Sequence, residues 1–86
     1  MAIKINPRSA DAFHNRAINK IKLDNYQGAL EDFSKAIEID PMHAKAYLHR
    51  GNTKYHLYRL NHGCLDWEKA AKLGNKSALE LIRIHC

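Results

Sequence analysis

The amino-acid sequence predicts an all-α fold: helical hairpins stacked into a solenoid and closed by a C-terminal capping helix. Three observations carry that expectation. The chain repeats itself at an offset of 34 residues, since Pro7 falls on Pro41 (41 − 7) and Arg16 on Arg50 (50 − 16). Within each repeat the apolar residues recur at helical spacing, as at Ala29, Leu30, Phe33, Ala36 and Ile37. The breaks between these stretches carry turn residues and helix stops: Asp24-Asn25, Asp40-Pro41 and Gly74-Asn75.

The offset extends well beyond the prolines. Ala12 falls on Ala46, Lys20 on Lys54, Asp32 on Asp66, Lys35 on Lys69 and Ala36 on Ala70. Phe13 meets Tyr47, Phe33 meets Trp67 and Ile39 meets Leu73, all of like character. Such self-similarity marks a repeat architecture in which each unit buries its apolar face against the next.

The elements follow in order. A first helix is expected over 10–23, ending at Asp24-Asn25, and a second over 26–39. Pro41 cannot continue that helix and disfavours helical geometry at Asp40. The second repeat places helices over 44–57 and 60–73, the latter stopped by Gly74-Asn75. A fifth helix over 76–85 turns Ala78, Leu79 and Ile82 inward, with Leu81 beside them, and forms the terminal cap a solenoid needs. Residues 8–41 and 42–75 are then the two repeats and 76–86 the cap, all within one domain. Ala2, Ile3 and Ile5 fall on Ala36, Ile37 and Ile39, so residues 1–7 read as the end of a truncated preceding repeat. The expectation is a piece of a longer array, whose uncovered apolar face would favour self-association.

Length and composition narrow the function. Eighty-six residues form one small domain, with no room for a cleft between two domains. The 45% of apolar and 27% of charged residues suit a globular domain rather than a disordered tail. No apolar run approaches the roughly 18 residues of a membrane span. The net charge of +5 arises in the second half: residues 1–43 carry six Lys/Arg and six Asp/Glu, residues 44–86 eight and three. That surplus is either a solvated basic face or a surface that steers an acidic partner. No basic cluster interleaved with stacking aromatics indicates nucleic acid.

The sequences Ala12-Phe13-His14-Asn15-Arg16-Ala17, Asn25-Tyr26-Gln27-Gly28-Ala29-Leu30-Glu31-Asp32-Phe33 and Lys35-Ala36-Ile37-Glu38-Ile39-Asp40-Pro41 closely resemble the tetratricopeptide repeat (TPR). The ending Gly63-Cys64-Leu65-Asp66-Trp67, Lys69-Ala70-Ala71, Leu73-Gly74-Asn75 looks like the closing repeat of bacterial members. The resemblance covers nearly the whole chain. It implies a right-handed stack of antiparallel helix pairs, whose first helices line a concave groove for a peptide or a helix of another protein.

Two departures from the family pattern stand out. Arg16 and Arg50 occupy an often apolar position, and Lys20 and Lys54 an often aromatic one. The expectation is buried stems with charged heads in solvent, and ion pairs Arg16–Asp32 and Arg50–Asp66 adding about 0.2–1 kcal/mol each. Gly63 replaces the alanine found at Ala29, permitting close helix approach at a cost in propensity.

The groove set comprises Asp11, His14, Asn15, Ile18 and Lys22 from the first helix, and Lys45, Leu48, His49, Asn52 and His56 from the third. Some members of the family hold the free carboxylate and acidic side chains of a C-terminal tail in a clamp of Lys, Asn and Arg. Asn15 matches the clamp Asn and Lys45 a clamp Lys, but His49 stands where Arg would be expected. A general peptide groove is therefore the expectation, with Asn15 and Asn52 bonding a ligand backbone. The clamp is the narrower alternative, and a self-associating scaffold is the rival.

Other chemistry finds little support. Six histidines include no His-x3-His pair, and the expectation is surface imidazoles that make the groove more cationic below about pH 6.5. No metal site and no cofactor are expected. No catalytic triad, phosphate loop or paired carboxylate is visible, which points to binding rather than catalysis. Cys64 and Cys86 lie on two helices that a tight turn makes antiparallel, ten residues before Gly74 and eleven after Asn75. They are either a buried thiol and a frayed terminal residue, or a disulfide if their Cα atoms come within about 7 Å. A bond would point to an oxidising compartment such as the periplasm, and free thiols to the cytoplasm.

Overall fold

The computed structural model describes residues 9–58 and 63–86, and among these the secondary structure consists of five α-helices. They are α1 (Ala10–Lys22), α2 (Tyr26–Ile39), α3 (Ala44–Tyr58), α4 (Cys64–Lys72) and α5 (Lys76–His85). The expected start of the fourth helix at residue 60, and the partial repeat at residues 1–7, lie outside the described residues. Each helix packs mainly on its neighbour in sequence: α1 on α2, α2 on α3, α3 on α4 and α4 on α5. This nearest-neighbour pattern is that of a stack rather than a bundle around one axis.

Local chemistry sets the helix ends. Ser9 Oγ accepts from the Ala12 N–H at 3.3 Å, Asn25 Oδ1 from Gly28 at 3.0 Å and Asn75 Oδ1 from Ala78 at 3.1 Å. Each satisfies an N–H that has no partner within its helix. α1 and α4 end alike. The Asp24 and Asn25 N–H groups bond back to Ile21 and Lys20, and those of Gly74 and Asn75 to Ala71 and Ala70. This closure requires a left-handed residue: Gly74 at φ 103° and, less comfortably, Asp24 at φ 63°.

Three small clusters make the core. Ala10, Ala36 and Ala46 meet between the first hairpin and α3. Ala17, Ala29 and Phe33 close the first hairpin, flanked by Ile18 and Ile21. Leu48, Cys64, Trp67, Ala70 and Ala78 join α3, α4 and α5. Phe33 and Trp67, equivalent at the repeat offset, are the large anchors, 0% and 1% exposed. The bigger indole and the close approach of the Gly51 and Gly63 backbones explain two glycines. A Cβ on Gly51 would stand 2.7 Å from Trp67 Cδ1, and one on Gly63 would stand 2.5 Å from the Gly51 carbonyl oxygen. The first repeat, with Phe33, accommodates Ala17 and Ala29 at these places. In the cap, Ala78 is buried and Leu81 and Ile82 pack on the core. Leu79 is 54% exposed, contrary to expectation, because it lies on the side of α5 turned from α4.

Both expected ion pairs form, with the Arg16 side chain 60% exposed but that of Arg50 only 20%. Arg16 grips Asp32 through Nε (2.8 Å) and Nη2 (2.9 Å), and Lys20 Nζ adds 3.2 Å. Arg50 grips Asp66 at the same 2.8 and 2.9 Å, with Lys54 at 3.3 Å. Asp32 and Asp66 are only 3% and 5% exposed, so each carboxylate sits inside the stack and draws two cations to it. The Arg16 hydrogen bond holds the Asp32 carboxyl below its ordinary value of 3.8. Its stabilisation is present above that value and is lost as the pH falls through the folded one.

Cys64 and Cys86 form a disulfide, with Cα atoms 6.1 Å apart, between the first turn of α4 and the residue after α5. It fastens the cap beside Trp67. His85 lies over the same place, 5.6 Å from the indole and 4.6 Å from the Tyr55 ring, centroid to centroid.

Candidate functional site

α1 and α3 face each other across a groove floored by α2, bridged by ring-bearing side chains. At one end the chain gathers three histidines. His14 lies 5.2 Å from His43 and 5.1 Å from His49, ring centre to ring centre, with Phe33 beneath at 5.6 and 6.0 Å. At the other end Ile18, Ile21, Tyr26, His49, Asn52, Thr53 and His56 line a pocket of about 310 Å³. The Tyr26 and His56 rings stack there at 4.0 Å.

His43 is fixed by two bonds. Its Nδ1 accepts from the Ala46 N–H at 3.2 Å, so the proton on Nε2 points at Asp11 Oδ1, 2.8 Å away. His43 thus caps α3 as Ser9, its equivalent at the repeat offset, caps α1. His14 Nδ1 lies 3.4 Å from Asn15 Oδ1, while its buried Nε2 has no hydrogen-bond partner.

His14, His43 and His49 are therefore not the surface groups expected from sequence, whereas His56 and His85 are exposed. Burial, with Asn15 opposing it, lowers the His14 pKa below the ordinary 6.5. Burial, reinforced by His14, Lys45 and His43, pushes His49 down to about 4. Lys45 brings an ammonium group to the exposed rim of this end. Since His14 and His49 have folded values below the unfolded one, the unfolded chain binds more protons, and folding weakens as the pH drops from 6.5 towards 4. Stability at pH 4.5 is expected to fall short of that at pH 7 by about 2 kcal/mol, solvent screening included. Urea unfolding at the two pH values measures this, and His49→Gln should flatten the drop.

Of the ten sequence-derived groove residues, Asp11, His14 and His49 join the histidine cluster. Ile18, Asn52 and His56 join the pocket. Asn15 and Lys45 are exposed at the rim, and Lys22 is exposed at the end of α1. Leu48 does not line the groove: at 9% exposure it belongs to the core with Cys64 and Trp67, because its side of α3 faces α4. Asn52 is partly committed, since its Oδ1 accepts from Trp67 Nε1 at 3.0 Å. Sequence reasoning missed His43, Ile21, Tyr26 and Thr53. Alignment of His43 with Ser9 was the available signal for the first. Tyr26 and Thr53 gave none, being brought in by the turn between α1 and α2 and by the burial of α3. Among the described residues no group of three or more His, Cys, Asp or Glu is arranged to hold a metal ion.

Paired helices joined by tight turns, stacked so that alternate helices line a groove, define a helical-repeat protein. The family described as TPR repeat matches residues 21–57. The fold resembles the first TPR of Spaghetti (RPAP3) bound to HSP90 peptide SRMEEVD, with TM-score 0.82 and 26% identity over 91% of this chain and 64% of that one. It equally resembles the second TPR domain of human RPAP3 in complex with HSP70 peptide SGPTIEEVD, with TM-score 0.81 and 31% identity over 91% and 67%. The chain belongs to the tetratricopeptide repeat family. Sperm-associated antigen 1 of Mus musculus is 40% identical over 65 residues, 76% of this chain but 7% of that protein. The chain thus spans a small part of its curated relatives. These relatives are eukaryotic and lend no support to the bacterial likeness of the closing segment.

Proposed function

We infer that this domain is a protein-interaction module whose groove between α1 and α3 receives an acidic peptide segment of another protein. The observation that carries this is the convergence of exposed Asn15 and Lys45 with an apolar pocket on one face. The two solved neighbours hold peptides ending in Glu-Glu-Val-Asp. A carboxylate group meets Lys45 and the Asn15 amide, and an apolar side chain fills the space beside Ile18 and Ile21. The pairing of amide, ammonium and pocket is recognition chemistry.

Isothermal titration with the peptide SRMEEVD tests the reading. Lys45→Glu is expected to weaken binding by about tenfold or more, because it places like charge against the ligand. Lys72→Glu, an equal charge change on the exposed side of α4, should leave affinity unchanged. Equal losses in both variants would reduce the effect to net charge and overturn the groove.

A further inference from the structure

We propose that an acidic peptide enters this groove together with a proton, taken up on His49, so that the module holds its partner more tightly as the pH falls. The inference rests on the peptide-binding reading above and adds its regulation.

The geometry singles out His49. It lies between the two halves of the site, in ring contact with His14 and Phe33 and lining the pocket with Ile18, Asn52 and His56. His43 is unsuited to the role because both its nitrogens are engaged, one by the Ala46 N–H and one by Asp11. His14 is no better placed, since its Nε2 is buried and its Nδ1 lies beside Asn15 Oδ1. Of the two imidazoles that line the pocket, His56 is stacked on Tyr26, and His49 is the one that also reaches the histidine cluster and Lys45.

The groups around His49 make it neutral in the empty groove. From α1 it faces His14, with Asp11 behind it. From α2 it faces Phe33 and, at the pocket, Tyr26. His43 approaches from the turn before α3, and Lys45 and His56 from α3 itself. The one carboxylate among them, Asp11, is bound to His43. Burial and the surrounding cations hold the His49 value at about 4. A ligand carboxylate brought within about 4–6 Å reverses that balance and raises it by roughly 1–3 units. Between the empty and the occupied values each complex formed takes up one proton. Affinity then rises by up to about tenfold per pH unit. The peptide's own carboxyls stay ionised above about pH 5 and its amino terminus is acetylated, so the window from pH 7.5 to 5.5 reads the protein.

The experiment is titration of the 86-residue chain with N-acetylated SRMEEVD at pH 7.5, 6.5 and 5.5. Each pH is run in two buffers of different ionisation enthalpy, so that the heat difference counts protons, with far-UV circular dichroism confirming the fold. The expected result is roughly tenfold tighter binding at pH 5.5 than at pH 7.5, with proton uptake growing towards one per complex. His49→Gln should lose both the uptake and the pH dependence. His49→Arg, with a permanent cation, should bind at pH 7.5 about as tightly as the natural chain does at pH 5.5. Binding of equal strength at all three pH values with no buffer-dependent heat overturns the proton coupling and leaves the peptide groove standing. Absence of binding by the natural chain and both variants at every pH removes the groove and the coupling together. Persistent uptake in His49→Gln assigns the proton elsewhere and overturns the role of His49.

Discussion

Replacing Arg50 by Met should destabilise the domain by about 3 kcal/mol, the effect of leaving a buried carboxylate without its main partner. Asp66 is 5% exposed and accepts from two of the three guanidinium nitrogens, Nε and Nη2, whereas Lys54 reaches only one of its oxygens, at 3.3 Å. Arg50 also bonds Ser34 Oγ at 3.1 Å and lies 5.7 Å from the centre of the Tyr47 ring, so it ties α2, α3 and α4 together. The methionine keeps the stem and removes only the head. Adding Asp66→Leu should recover most of the loss, since an apolar pair of similar size incurs no desolvation of charge. Urea titration of the single and double variants decides this. A double variant as unstable as the single one would show that packing, and not the stranded charge, is at stake. Arg16→Met should have the smaller effect, because the Arg16 side chain is 60% exposed against 20% for Arg50.

Cys86→Ser should lower stability by a similar amount, about 3 kcal/mol, from the loop entropy released when a bridge spanning 22 positions is opened. For a domain of this size the melting temperature should fall by roughly 15 °C. The effect concentrates in the cap, because α5 packs chiefly on α4 and contributes one fully buried side chain, Ala78. The single tryptophan, 5.6 Å from His85 and one turn from Cys64, is the natural reporter. The natural chain in excess dithiothreitol should melt like Cys86→Ser, and the reductant should not change the variant further. Coincident melts of reduced and oxidised natural chain would show that the cap holds without its bond. A bridge of this kind persists in an oxidising compartment.

Much of the architecture was legible because it depends on local and periodic chemistry. The 34-residue offset, Pro41, the capping Asn25 and Asn75 and the apolar spacing each act within a turn or a hairpin. The aligned Asp32 and Asp66 marked the ion pairs, although composition could not show that their carboxylates are buried. The groove was legible as a face but not as an environment. Helical geometry selected His14 and His49, yet whether an imidazole is solvated depends on what the next helix brings against it. Leu48 was misplaced for the same reason: its inward direction is set by the position of α4 and Trp67.

The sequence by itself determined that this protein is a helical repeat with a groove-bearing face, because repetition and periodicity are properties of the chain. Only the tertiary structure decided the charge of that groove. Stacking brings α1, α2 and α3 together so that His14 and His49 are partly buried against Phe33, with Lys45 and Asp11 left exposed at the rim, and it is this burial that lowers both imidazole pKa values.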